Sequence, residues 1–216
     1  MPPSGSTIAP PRQRCRFGSL DIEFDARVLT PRPWTLAQSA WAAELATGAG
    51  PGALLELCAG AGQIGLAAAV SSGRSLVQVE ADPVAAGYAS ANARRAGISD
   101  QVEVRCARLE TAIDAGEQFP IVLADPPYLR TPDTARWPAD PRAAIDGGPD
   151  GLAIVRACLE TAAACLPADG YLLLQVAGPA QADEIADLTT GSFRTEEVRV
   201  TDAERAVQLL RPVSRS

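Results

Sequence analysis

The segment Leu54-Leu-Glu-Leu-Cys-Ala-Gly-Ala-Gly-Gln-Ile-Gly65 constrains this chain more than any other stretch. An apolar run passes directly into a glycine turn, and an alanine-rich helical stretch opens on its far side. Glycines in such a turn let backbone approach a ligand closely, and the following helix presents free N–H groups to the same place. The alternation of apolar run, turn and helix then repeats, which is the signature of βαβ units on a parallel sheet. Strands are expected at 53–58, 76–80, 102–105, 121–125 and 171–176, and helices at 34–47, 63–71, 83–96, 151–166 and 179–189, with a weak turn at 109–115. Two last strands, 195–200 and 206–211, are joined by a polar turn too short for a helical crossover, so they must pair antiparallel.

With 216 residues and 47% apolar content, the chain suits one α/β domain with its own core. Residues 1–16 are rich in Pro, Ser, Gly and Arg and are expected to be a disordered or draped arm. The domain is then 17–216, divided into an N-terminal lid and helix over 17–50 and a Rossmann-like core over 51–216. Leu20, Ile22 and Phe24 alternate with polar residues as in a short strand or hairpin arm.

Composition removes several chemistries. Histidine is absent, which excludes imidazole general bases, His-dependent triads and His-ligated metal sites. The 5 cysteines are scattered without a C-x-x-C pair, so no disulfide framework or zinc site is signalled, no metal is expected, and a reducing cytoplasm fits best. The net charge is −7, and every basic residue is arginine; such a surface disfavours phosphate backbones. No charged-then-apolar leader and no apolar run of membrane-spanning length is present, so no membrane association is expected. A homodimer is compatible with the sequence.

Gly60, Gly62 and Gly65 satisfy G-x-G-x-x-G, and Glu80 follows at the end of the next strand, where an acid can bind ribose hydroxyls. A dinucleotide enzyme is therefore a rival. Glu56, inside an otherwise apolar strand, needs a cationic or N–H partner. Asp82 is expected to cap the helix begun by Pro83. The second motif, Asp125-Pro-Pro-Tyr128, ends an apolar strand at the ligand edge of the sheet. Pro126 and Pro127 fix φ and remove donors, holding Asp125 and the Pro126 carbonyl as two acceptors for the two N–H bonds of an NH₂ group. Tyr128 offers a flat face to a planar substrate.

Together with Val28-Leu-Thr-Pro-Arg-Pro33, Ala144-Ile-Asp-Gly-Gly-Pro-Asp-Gly-Leu152 and Ala168-Asp-Gly-Tyr-Leu-Leu-Leu174, these motifs resemble the HemK-like protein-glutamine methyltransferases that modify release factors, over about 17–212. The resemblance implies a class I, Rossmann-like α/β fold: seven mostly parallel strands with an antiparallel last strand, and helices on both faces. It implies S-adenosylmethionine (SAM) as cofactor, held by Glu56, Cys58, Gly60, Gly62, Glu80, Arg108 and Asp125, with Asp125, Pro126, Pro127 and Tyr128 at the reacting centre. The methionine amino group of SAM is the partner expected for Glu56.

The chain departs from the family where Asp125 replaces the usual Asn, where Trp34 replaces a glutamate, and where Arg108 stands in place of an acid that receives the adenine amine. The helical domain that family members use to engage the release factor has no counterpart in the matched region. The acceptor is expected to be a protein or small molecule rather than nucleic acid. The alternatives are an RNA base amine and a non-catalytic SAM-binding module. The loop 129–144, with Trp137, is a candidate lid whose Arg130, Arg136 and Arg142 could recognise an anionic substrate or, equally, form a solvated face; Arg32 could reach a carboxylate of cofactor or substrate; and the 146–151 turn is expected to shape the mouth.

Overall fold

A computed structural model describes residues 9–213. The chain enters through an antiparallel hairpin, β1 (Gln13–Phe17) and β2 (Leu20–Phe24). Residues 13–16 therefore belong to a strand rather than to a draped arm, while 1–8 of that expected arm lie outside the described residues. Arg12 and Arg14 reach across to the buried carboxylate of Glu23, which Arg95 also approaches, and Phe17 turns into the core. Alternation of side chains along the strand lets a polar stretch hold both an ion-pair row and a core face. Asn92 fastens the hairpin by accepting the Glu23 N–H at 2.8 Å and donating to the Glu23 carbonyl at 2.9 Å.

A 3-10 turn at Pro33–Thr35 leads into α1 (Leu36–Ala46), so the α-helix expected from Trp34 begins two residues later. The main sheet follows: β3 (Leu54–Leu57), α2 (Gln63–Ser72), β4 (Leu76–Glu80), α3 (Pro83–Arg95), β5 (Val102–Cys106), β6 (Ile121–Ala124), α4 (Ala153–Cys165), β7 (Tyr171–Val176), α5 (Gly178–Leu188), β8 (Phe193–Asp202) and β9 (Arg205–Pro212). Asp82 caps α3 as expected, accepting from Val84 and Ala85 N–H. The strand order is β5-β4-β3-β6-β7-β9-β8, with β9 alone antiparallel to its neighbours.

Strand periodicity divides the core in two. Leu54, Leu76, Ile121, Leu123 and Leu173 join α1, α2, α3 and the hairpin on one face. Leu55, Leu57, Val77, Val79, Val122 and Leu174 join α4 and α5 on the other. The chain runs outward from β3 through β4 to β5, then returns to β6 beside β3. The loops after β3 and β6 thus leave the same sheet edge side by side, at the crevice where open α/β sheets bind ligands.

Candidate active site

The loop after β3 turns sharply at Cys58 and Gly60, both at positive φ (58° and 57°). A side chain at Gly60 would meet open space, whereas one at Gly65 would strike the Glu56 carboxylate. Glu80, at the end of β4, accepts the Gly60 N–H at 2.7 Å and the Asp82 N–H at 2.8 Å, tying the glycine loop to the neighbouring strand. A carboxylate has about four lone-pair sites, so acceptor capacity remains for ribose hydroxyls.

A cavity of about 300 Å³ lies over this loop, lined by Cys58, Gly60, Glu80, Arg108 and Asp125 among others. Ala107, Leu109 and Ile154 give it an apolar wall, and Glu110 lines it as well. Arg108 is largely exposed and pairs with Glu110. Cys58 stands 3.8 Å from Cys158, sulfur to sulfur; that contact, together with burial, pushes the Cys58 thiol up, away from the reactive thiolate.

Glu56 and Gly62 are placed differently from expectation. Glu56 shares the β3 face of Leu54, so its carboxylate points beneath α2, where it accepts the Gly65 N–H at 3.0 Å and the Gln78 amide at 2.5 Å. The N–H partner that its burial demanded is therefore supplied by the fold, and Glu56 does not line the cavity. Burial raises its pKa to about 8. Gly62 likewise faces inward: a side chain there would meet Gln78 and Ala89.

The Asp125–Tyr128 loop leaves β6 between two cavities. A second one, also about 300 Å³, is lined by Pro126, Tyr128, Trp34, Trp137, Gln181 and Arg205 among others. Asp125, Pro127, Leu29 and Ala144 line both. Burial raises the Asp125 pKa to about 7 and pushes the Tyr128 phenol up. The loop is held from behind: Gln181 donates to the Tyr128 carbonyl at 3.1 Å, and Gly147 N–H to the Leu129 carbonyl at 2.8 Å. The turn beginning at Asp146 thus braces the Asp125 loop, and Asp146 itself lines the first cavity.

Loop 129–144 forms 3-10 turns at Thr131–Arg136 and Arg142–Ala144 and walls the second cavity. Its arginines already have partners: Arg130 with Glu184, Arg136 with Glu204 and Arg142 with Asp146. Arg32 pairs with Asp140. Sequence reasoning missed the contribution of the β8–β9 turn, where Arg205 stacks 3.8 Å from the centroid of Trp34. It also missed Arg27, Leu29 and Glu110. Leu29 sits in the Val28–Pro33 motif, and the Asp25-x-Arg27 spacing carried the signal of a side chain capping its own turn.

The strand order, with its one reversed strand beside the edge, defines a Rossmann-like α/β domain of the kind found in methyltransferases. A solved SAM-dependent methyltransferase from Agrobacterium tumefaciens superposes with a TM-score of 0.64 at 16% identity, covering 96% of this chain and 72% of that one. A family described as conserved hypothetical protein 95 matches residues 39–135. A release factor glutamine methyltransferase from Moorella thermoacetica is 32% identical over 189 residues, 84% of this chain and 66% of that protein. Its counterpart from Deinococcus radiodurans is 30% identical over 216 residues, 90% of this chain and 71% of that protein. The chain belongs to the release factor glutamine methyltransferase family. It spans about two thirds of the length of these relatives.

Proposed function

We propose that the chain is a SAM-dependent N-methyltransferase acting on a planar amide nitrogen, with protein glutamine as the acceptor. The observation that carries this reading is the meeting of two cavities at Asp125 and Pro127. Family membership supports SAM as cofactor, and the first cavity suits it. Glu80 offers acceptors for hydroxyls, Leu109 and Ile154 an apolar wall, and the acidic side chains of the lining suit a sulfonium cation.

Bound there, SAM supplies an electrophilic methyl group. The protein's part is positioning. In the second cavity the Asp125 carboxylate and the Pro126 carbonyl accept the two N–H bonds of the acceptor, so the nitrogen lone pair is turned toward the first cavity. Tyr128 fixes the amide plane. Holding reactants about 3 to 3.5 Å apart in line replaces much of the need for a strong base. Asp125, with a pKa near neutrality, then takes the proton that the methylated nitrogen releases.

The test incubates the protein with methyl-labelled SAM and host extract, followed by separation into protein, RNA and small-molecule fractions. Label in protein, mapped to a glutamine, is the expected outcome; label confined to RNA would overturn the acceptor assignment. Asp125→Ala should lower transfer by about 100-fold or more while SAM still binds. Unchanged turnover in this variant would overturn the reading of the site.

A further inference from the structure

We propose that Arg27 is the cation that holds the carboxylate of SAM's amino-acid arm. The inference rests on the cofactor reading above. Arg27 stands in the loop after β2 and lines the first cavity beside Val28 and Leu29. Its guanidinium is a built element: Asp25, 1% exposed, accepts from Arg27 Nε at 3.0 Å, from Nη2 at 2.5 Å and from the backbone N–H at 2.9 Å. Tyr88 of α3 donates its hydroxyl to the same carboxylate at 2.7 Å. One edge of the fork is thereby fixed in plane, and Nη1 keeps no hydrogen-bond acceptor among the described residues.

The charges of the cavity give that free edge its partner. Glu80, Asp82, Glu110, Asp125 and Asp146 line it, against two cations, Arg27 and Arg108. SAM's sulfonium and ammonium groups suit such a lining; its carboxylate does not, and needs a cation. Arg108 is 80% exposed and pairs with Glu110 beyond β5. Arg27 lies two residues from Leu29, which lines both cavities where methyl and acceptor must meet. The amino-acid arm is bonded to the sulfur that carries the methyl, so its carboxylate stays within a few bonds of that junction. A bidentate-capable guanidinium is the side chain best matched to a carboxylate there.

Calorimetry with three ligands tests this: SAM, decarboxylated SAM, and methylthioadenosine, which lacks the whole arm. Arg27→Met should weaken SAM by about 10- to 100-fold, the range of a lost charge-assisted contact, and leave decarboxylated SAM unchanged. With methylthioadenosine binding unchanged, equal loss for both other ligands, or loss for neither, overturns the assignment. Unchanged methylthioadenosine binding reports an intact fold. If Arg27→Met loses that too, Arg27→Lys, which keeps the charge beside Asp25, should still lower the preference for SAM over decarboxylated SAM. An unchanged preference in that variant overturns the inference. A wild-type protein that binds none of the three overturns the cofactor reading itself, whereas one that binds SAM and decarboxylated SAM equally overturns the role of Arg27 alone.

Discussion

At the scale of single residues, Asp125 decides most. An aspartate here does two things: it accepts a hydrogen bond when ionised, and it titrates near neutrality, at about 7. Its raised pKa means that the accepting form is gained as pH rises, so kcat/KM should climb through about pH 7 and level off above it. An asparagine side chain at this position would keep a carbonyl acceptor but have no proton to lose. Asp125→Asn is therefore expected to keep part of the activity through its carbonyl, at a lower rate because it cannot take the released proton, and to flatten the profile over that range, as measured by initial rates from about pH 5.5 to about 8.5, a window that brackets the group's titration. A profile identical to wild type would assign the titration to another group. Glu56 gives the complementary case in stability. Its folded pKa, about 8, exceeds the ordinary 4.5, so between those values the folded state binds more protons than the unfolded one. Stability from this group is full below about pH 4.5 and is lost as pH rises to about 8. Urea unfolding of Glu56→Gln should show a shallower decline over that window than wild type; Asp125, raised in the same direction, leaves a residual slope. A decline as steep as wild type would show that Glu56 does not carry it.

At the scale of elements, the strands and helices were legible because apolar periodicity and glycine punctuation coincide in each βαβ unit. The cap on Asp82 and the antiparallel last pair followed from local rules. What escaped was direction. Glu56 sits in the glycine-loop motif, yet strand parity with Leu54 turns it under α2 rather than toward the cavity. The polar row of β1 hid a strand because its arginines are satisfied by Glu23 of the hairpin partner, a carboxylate that only tertiary packing buries against Arg95, far away in sequence. The β3–α2 unit is tight for a reason that can be tested. Gly65 donates its N–H to the carboxylate against which a methyl at that position would press. Gly65→Ala should cost about 1–3 kcal/mol, the usual range for overpacking, in a denaturant titration. A stability equal to wild type would mean that α2 can shift away from β3 at no cost.

At the scale of the molecule, the two motifs meet although 65 residues separate Gly60 from Asp125, because β3 and β6 are neighbours at the point where the sheet reverses its order. That convergence could be anticipated from topology. The second cavity could not, since its walls come from the loop before α1, the 129–144 loop, α5 and the β8–β9 turn, none of which shares a periodic pattern with the others. The same walls decide how the acceptor is met. The chain carries a net charge of −7, and the arginines around the second cavity do not offset it locally. Arg32 pairs with Asp140, Arg130 with Glu184, Arg136 with Glu204 and Arg205 with Asp202. Binding a phosphate backbone would require breaking such pairs as well as approaching an anionic surface. A single-stranded RNA of about 20 nucleotides should therefore show no saturable binding in fluorescence anisotropy at about 0.15 M salt, an ionic strength at which charges beyond about 8 Å are screened. An excess of the same RNA should leave methyl transfer to protein unchanged. Saturable binding that weakens with salt, or competition by RNA, would mean that the ion pairs open to expose the arginines and that the acceptor is chosen by charge rather than by the shape of the second cavity.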